Sequence, residues 1–185
     1  MGTKQHLVLE KFEFAEEPSF TPRTPYYWMS EEELVVIKRY PYILDERCPF
    51  TATFKVLIKE GKNVIGEEHL TLRGTVPKGF SYNLADIPFF VQPFTYDKHS
   101  PFVKNASFIH DYLLSHKRDL YEFWELKDKG ISPAEFREMT SLIFCHVLKY
   151  NAVSWGKAQV MTFFVNLFQA FLPSWYNIDK TETEL

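Results

Sequence analysis

The sequence predicts an α+β fold, with a small antiparallel sheet in the N-terminal half packed by three or four helices from the C-terminal half. Three observations carry that reading. β-branched and alternating segments, separated by turn residues, concentrate between residues 34 and 82. Apolar residues at helical spacing concentrate between residues 83 and 173. Large rings are abundant, with 18 Phe, 10 Tyr and 4 Trp against only 7 Gly, so the core should be bulky and aromatic. At 185 residues, a single domain over 1–185 is the expectation. Burying several such rings at about 1.5–3 kcal/mol each gives stability without a metal or disulfides.

Residues 1–33 read as a Pro- and aromatic-rich N-terminal arm. Pro18, Pro22 and Pro25 make Glu17 to Tyr27 extended and irregular. Tyr26, Tyr27 and Trp28 follow as an aromatic cluster. It is either part of an arm laid over the domain or a contact surface for a partner. An arm of this kind implies that removing residues 1–30 leaves the domain folded. Ser30 and Glu33 have capping-box spacing, but the β-branched run Leu34-Val35-Val36-Ile37 argues against a long helix there.

The β region spans residues 34–82. Thr51 to Ile58 reads as a strand with Phe54, Val56 and Ile58 on one face. Glu60-Gly61-Lys62-Asn63 is turn chemistry, and Val64-Ile65-Gly66 and His69 to Leu72 return as a hairpin. Val76-Pro77-Lys78-Gly79-Phe80 closes the region with a tight turn. In the helical region, residues 83–173, Asn105 reads as the N-cap of a helix carrying Phe108 to Leu114. A bend follows between Ser115 and Asp119, then a helical piece over Leu120 to Lys127 ended by Gly130. Ser132-Pro133-Ala134-Glu135 is a strong helix start, with Phe136, Met139, Ile143, Phe144, Val147 and Leu148 on its apolar face. In the last helix, Val160, Phe163, Phe164, Leu167, Phe168 and Phe171 form a stripe expected to face the core. Residues 174–185 read as a polar, frayed tail.

The formal net charge is −3, from 21 Lys+Arg and 24 Asp+Glu. No global field draws the chain to nucleic acid or anionic lipid. Val160 to Leu172 is the most apolar stretch, about one third shorter than a membrane span needs, so no membrane span is expected. The N-terminal residues show no signal-peptide h-region. Cys48 and Cys145 sit in unrelated contexts and read as reduced, buried thiols.

Three short motifs stand in order: Val76-Pro77-Lys78-Gly79-Phe80, then Leu84-Ala85-Asp86-Ile87-Pro88, then Ala106 to Leu113 with its His110-Asp111 pair. Together with the helices that follow, they resemble a small phage and prophage family catalogued as domain of unknown function 1353, over about residues 70–170. The resemblance implies a protein of tailed phages or prophages, often encoded near tail or lysis genes, with no established activity. Family members read roughly D-L-A-S-I-P at the second motif. Here Asn83 holds the place of the leading Asp, and Asp86 stands where Ser is usual. The family's Arg and the Asp four residues on fall at Arg137 and Ser141. Two usual acidic positions are therefore altered.

Adjacent helical positions diverge by roughly 100°, so His110 and Asp111 cannot chelate one ion side by side. With Asp86 from the preceding loop they could still form a catalytic site, a histidine oriented by a carboxylate. Such a set would also suit a divalent metal, although no cofactor is required. The competing reading is structural: Asp111 pairing with Arg137, Asp86 capping a helix near Pro88, and Asn83 within the same network. Cys145 and His146 are adjacent on a helix and cannot form a dyad from one face. His69 reads as strand surface and His99 as a polar loop.

Two functional classes follow, with a third behind them. The first is a structural or accessory phage protein, virion- or tail-associated, binding other phage structural proteins or further copies of itself, with Tyr26, Tyr27 and Trp28 as contact residues. The second is a cell-envelope or lysis hydrolase using the His-Asp pair. The third is an inhibitor of a host protein. The expected location is the virion or the host cytoplasm.

Overall fold

The computed structural model describes residues 3–82, 101–151 and 153–170. Two three-stranded antiparallel sheets and five helices make up the described part. The larger sheet has the order β1-β4-β5, from Thr3–Phe14, Cys48–Glu60 and Asn63–Val76. The smaller one has the order β2-β3-β6, from Phe20–Pro22, Tyr42–Leu44 and Ser81–Tyr82. The helices are α1 (Glu31–Arg39), α2 (Pro101–Ser115), α3 (Lys117–Phe123), α4 (Pro133–Tyr150) and α5 (Trp155–Ala170). This is the α+β arrangement the sequence implies.

Strand β4 is central because its alternation is clean: Cys48, Phe50, Ala52, Phe54 and Val56 are all buried. The β4–β5 hairpin turns at Gly61, whose φ of 62° suits glycine. The return is one continuous strand of 14 residues rather than two pieces, with a register irregularity between Ile58 and Lys59. Gly74 lies opposite Phe50. A Cβ there would stand 2.6 Å from the Phe50 ring, so the missing side chain makes room for the ring.

The N-terminal arm needs correction. Residues 3–14 are not laid over the domain but form β1, paired along β4 from Thr3 opposite Glu60 to Phe14 opposite Phe50. Leu7 and Phe12 belong to the core. The register shifts between Leu9 and Lys11, and this irregularity breaks the alternation that would have marked a strand in sequence. Removing residues 1–30 would therefore strip an edge strand, contrary to the expectation that the domain would remain folded.

The run Leu34 to Ile37 is also corrected: it lies in helix α1, where Ile37 is the one buried residue. The capping box at Ser30 and Glu33 forms, three acidic residues occupy the first turn, and Lys38 and Arg39 occupy the last. These end effects outweigh β-branched propensity. Asn105 is not an N-cap, because α2 already begins at Pro101. It is buried, and its Nδ2 donates to Glu17 Oε1 at 2.8 Å. The helical piece expected over Leu120 to Lys127 sits earlier, as α3.

Helix α4 meets expectation. Its capping box forms at Ser132 and Glu135, with Pro133 in the first turn, and all six expected apolar residues are buried. The stripe of α5 meets expectation only at Phe164; Phe171 lies outside the described residues, as does the side chain of Phe168. Val160, Phe163 and Leu167 are exposed, while Ala158, Met161 and Val165 are buried and Phe164 packs on the core only partly. The helix packs on α4 with its smaller-residue face. The core itself is aromatic, as composition requires: Phe108 contacts the rings of Phe14, Phe20, Phe80 and Tyr82.

Candidate functional site

Two regions answer to the residues singled out in sequence. The first is the His-Asp pair on α2. His110 is only 5% exposed, and its ring lies 5.2 Å from that of Phe144 on α4. Asp111 is less buried, with its Oδ1 3.9 Å from His110 Nδ1. That distance is too long for a hydrogen bond, as divergence of adjacent helical side chains predicts. Asp86 and Asn83 lie outside the described residues, as do the segment near Pro88, His99 and the tail. Among the described residues, no group of three or more His, Cys, Asp or Glu is placed to hold a metal ion.

Tyr82, on β6 against α2 with its ring 5.6 Å from that of Phe108, is not among the residues the motifs single out. It is fully buried, and its hydroxyl has no hydrogen-bond partner among the described residues. Burial pushes its pKa up, with added effects from Tyr42 and the Asp111 carboxylate, so the phenol stays protonated. Its position just before Asn83 is the one signal the sequence offers. Arg137 lies on α4 and lines a cleft of about 560 Å³ between α4 and α5, with Ser141, Gln159 and Asn166. There Ser141 Oγ donates to Asn166 Oδ1, and Gln159 Nε2 contacts Cys145 Sγ at 3.6 Å. Cys48 is buried beside Glu17 and Glu16. Burial first, then those two charges, pushes its thiol up to about 11.

A larger cleft, about 860 Å³, lies where β5 meets α2 and α3, with Phe50, Tyr112 and Leu120 in its walls. Its neighbouring polar groups bind backbone. Tyr112 Oη donates to Thr75 O at 3.2 Å, and Trp124 Nε1 donates to Arg73 O at 2.8 Å. His116 Nδ1 is 3.1 Å from Tyr112 O and must donate, since a carbonyl only accepts. The Tyr112 and Trp124 bonds tie α2 and the end of α3 to the edge of β5 and cover part of that edge, whereas the His116 bond stays within the end of α2.

The second region is the turn between β2 and α1. Met29 N donates to Tyr26 O at 3.1 Å and closes it. Tyr26 and Trp28 stack, with ring centroids 4.6 Å apart and planes at 9°. Tyr27 meets Trp28 edge-on at 4.9 Å. Tyr27 is 97% exposed and Trp28 66%. On α1, Val35 and Val36 are exposed as well. The capping box fixes how the turn enters α1: Ser30 N donates to Glu33 Oε2 at 2.7 Å, and Glu33 N donates to Ser30 Oγ at 3.2 Å. The bond from Ser30 N first, then one that Ser30 Oγ donates to the same Oε2 at 3.0 Å, hold the Glu33 carboxyl below its ordinary pKa.

The fold thus defines an α+β domain with a histidine packed into its aromatic core and a ring cluster held outward on a short turn. The chain belongs to the family described as Protein of unknown function (DUF1353), which matches residues 62–165. No curated protein and no solved structure matches it. Among the described residues, no helix is long and apolar enough to cross a membrane.

Proposed function

We propose that this protein is a structural or accessory protein of a tailed phage, virion- or tail-associated, acting through protein–protein contacts. The observation that carries the contact role is the exposed ring cluster of Tyr26, Tyr27 and Trp28. Large rings left in water on a hydrogen-bonded turn are the side chains that anchor interfaces, because each buries much area at little rotamer cost. The phage setting comes from the family resemblance. The hydrolase alternative requires His110 to reach a substrate, and its ring is packed against Phe144 instead.

The test compares wild type with the double variant Tyr27→Ser/Trp28→Ser. Both residues are exposed, so circular dichroism and the melting temperature should stay near wild type. Mass spectrometry of purified particles should find the wild-type protein at a fixed copy number and the variant depleted. Equal incorporation of the two would overturn the contact role of this turn. Absence of both from particles, with abundant expression, would overturn the virion assignment.

A further inference from the structure

Resting on the contact reading above, we infer that the aromatic turn receives an arginine-bearing, basic segment of its partner. The rings do not stand alone. Helix α1 begins three residues after Trp28, and its first turn is Glu31-Glu32-Glu33. All three glutamates are exposed. Glu33 is held by the capping box, which leaves Glu31 and Glu32 as the carboxylates available to a partner.

The basic residues of α1, Lys38 and Arg39, lie in its last turn. At about 1.5 Å rise per residue they stand roughly 10 Å from the glutamates. Arg39 is also occupied, with its guanidinium 5.5 Å from the Tyr40 ring. Arg23 is the nearest cation preceding the turn, and its backbone is tied to Pro41. The start of α1 and the turn before it therefore carry negative charge beside ring faces that are themselves electron-rich.

Charge complementarity selects the occupant. A guanidinium is planar and always charged. It can lie on an indole or phenol face while its edge donates to a carboxylate. An ammonium answers the charge but has no flat face to stack. A purely apolar segment would leave Glu31 and Glu32 desolvated at its rim, and an acidic one would be repelled. Tyr26 covers one face of Trp28 and Tyr27 meets it edge-on, so the guanidinium fits the ring surface these contacts leave in water, with Trp28 66% and Tyr27 97% exposed.

The probe is an acetylated octapeptide of alternating arginine and glycine, with lysine and glutamate versions as comparisons. The readout is the indole N–H resonance of Trp28, assigned with Trp28→Phe. The arginine peptide should shift that signal in a saturable way, more strongly than the lysine peptide, and the shift should fade as salt rises. Glu31→Gln/Glu32→Gln should weaken binding about two- to fivefold. A control pair, Glu68→Gln/Glu138→Gln, changes the net charge equally at distant exposed positions and should leave binding unchanged. No response, equal binding of the glutamate peptide, or equal losses in both glutamine pairs would overturn the inference. Failure here with Tyr27→Ser/Trp28→Ser still depleted from particles would remove only the basic partner. Normal incorporation of that variant would remove the contact reading beneath it.

Discussion

Helices α4 and α5 have comparable apolar patterns and opposite outcomes. In α4 the periodic residues, from Phe136 to Leu148, face the core between the sheet and α2. In α5 the periodic residues Val160, Phe163 and Leu167 face outward, and the helix is held by Ala158, Met161 and Val165. Periodicity states which residues share a face. It does not state whether another element covers that face. Helix α4 has neighbours on two sides, β1 and α2, as well as α5, whereas among the described residues α5 packs chiefly on α4.

The largest test of that contrast is a pair of truncations read by urea unfolding. Phe144→Ala should cost about 3–5 kcal/mol, because the ring is fully buried and leaves a cavity. Phe163→Ala, at a ring 61% exposed, should stay within about 0.5 kcal/mol of wild type. A large loss at Phe163 would show that the outer face of α5 is covered in solution. Next comes Gly74→Ala, which drives a methyl into the Phe50 ring and should cost about 1–3 kcal/mol. Its companion on the same strand, Thr71→Ala, loses only an exposed cross-strand contact with Thr53 at 3.4 Å and should cost less, about 0.2–1 kcal/mol.

Smaller still is Ser132→Ala, which removes the cap of α4 and should cost about 1 kcal/mol. The equivalent Ser30→Ala on α1 should show less in global unfolding, since that helix buries one residue and so contributes little to the cooperative core. The smallest effect is a pH dependence from His146 on α4. Burial first, then Lys149, lowers its pKa below the ordinary 6.5. Between the folded and unfolded values the unfolded chain binds the extra proton, so stability rises with pH in that window. The contribution is complete above about pH 6.5 and is lost as pH falls below it. His146→Gln should flatten the slope of stability just below that pH, and an unchanged slope would place the acid sensitivity elsewhere.

The same division runs through the candidate site. The aromatic turn was legible because three large rings in succession after Pro25 stand out in composition alone. That the rings face water was not legible, since it depends on what packs nearby. His110 was legible as part of a motif, yet its burial against Phe144 depends on a helix more than twenty residues further on. Tyr82 was hardly legible, because its place just before Asn83 does not tell that its hydroxyl is buried with no partner among the described residues.

By itself the sequence determined the α+β class, the Gly61 hairpin, and the capping box and buried face of α4; the Ser30 box was as local, but the β-branched run after it hid the helix. Each is set by interactions within a few residues or by a period that fits one element. Only the tertiary structure decided that residues 3–14 complete the sheet and that Val160, Phe163 and Leu167 of α5 face outward. The pairing of β1 joins residues 36 to 57 positions apart, from Phe14 with Phe50 to Thr3 with Glu60. Such contacts are set by the shape and free edges of the assembled sheet, which no local pattern encodes.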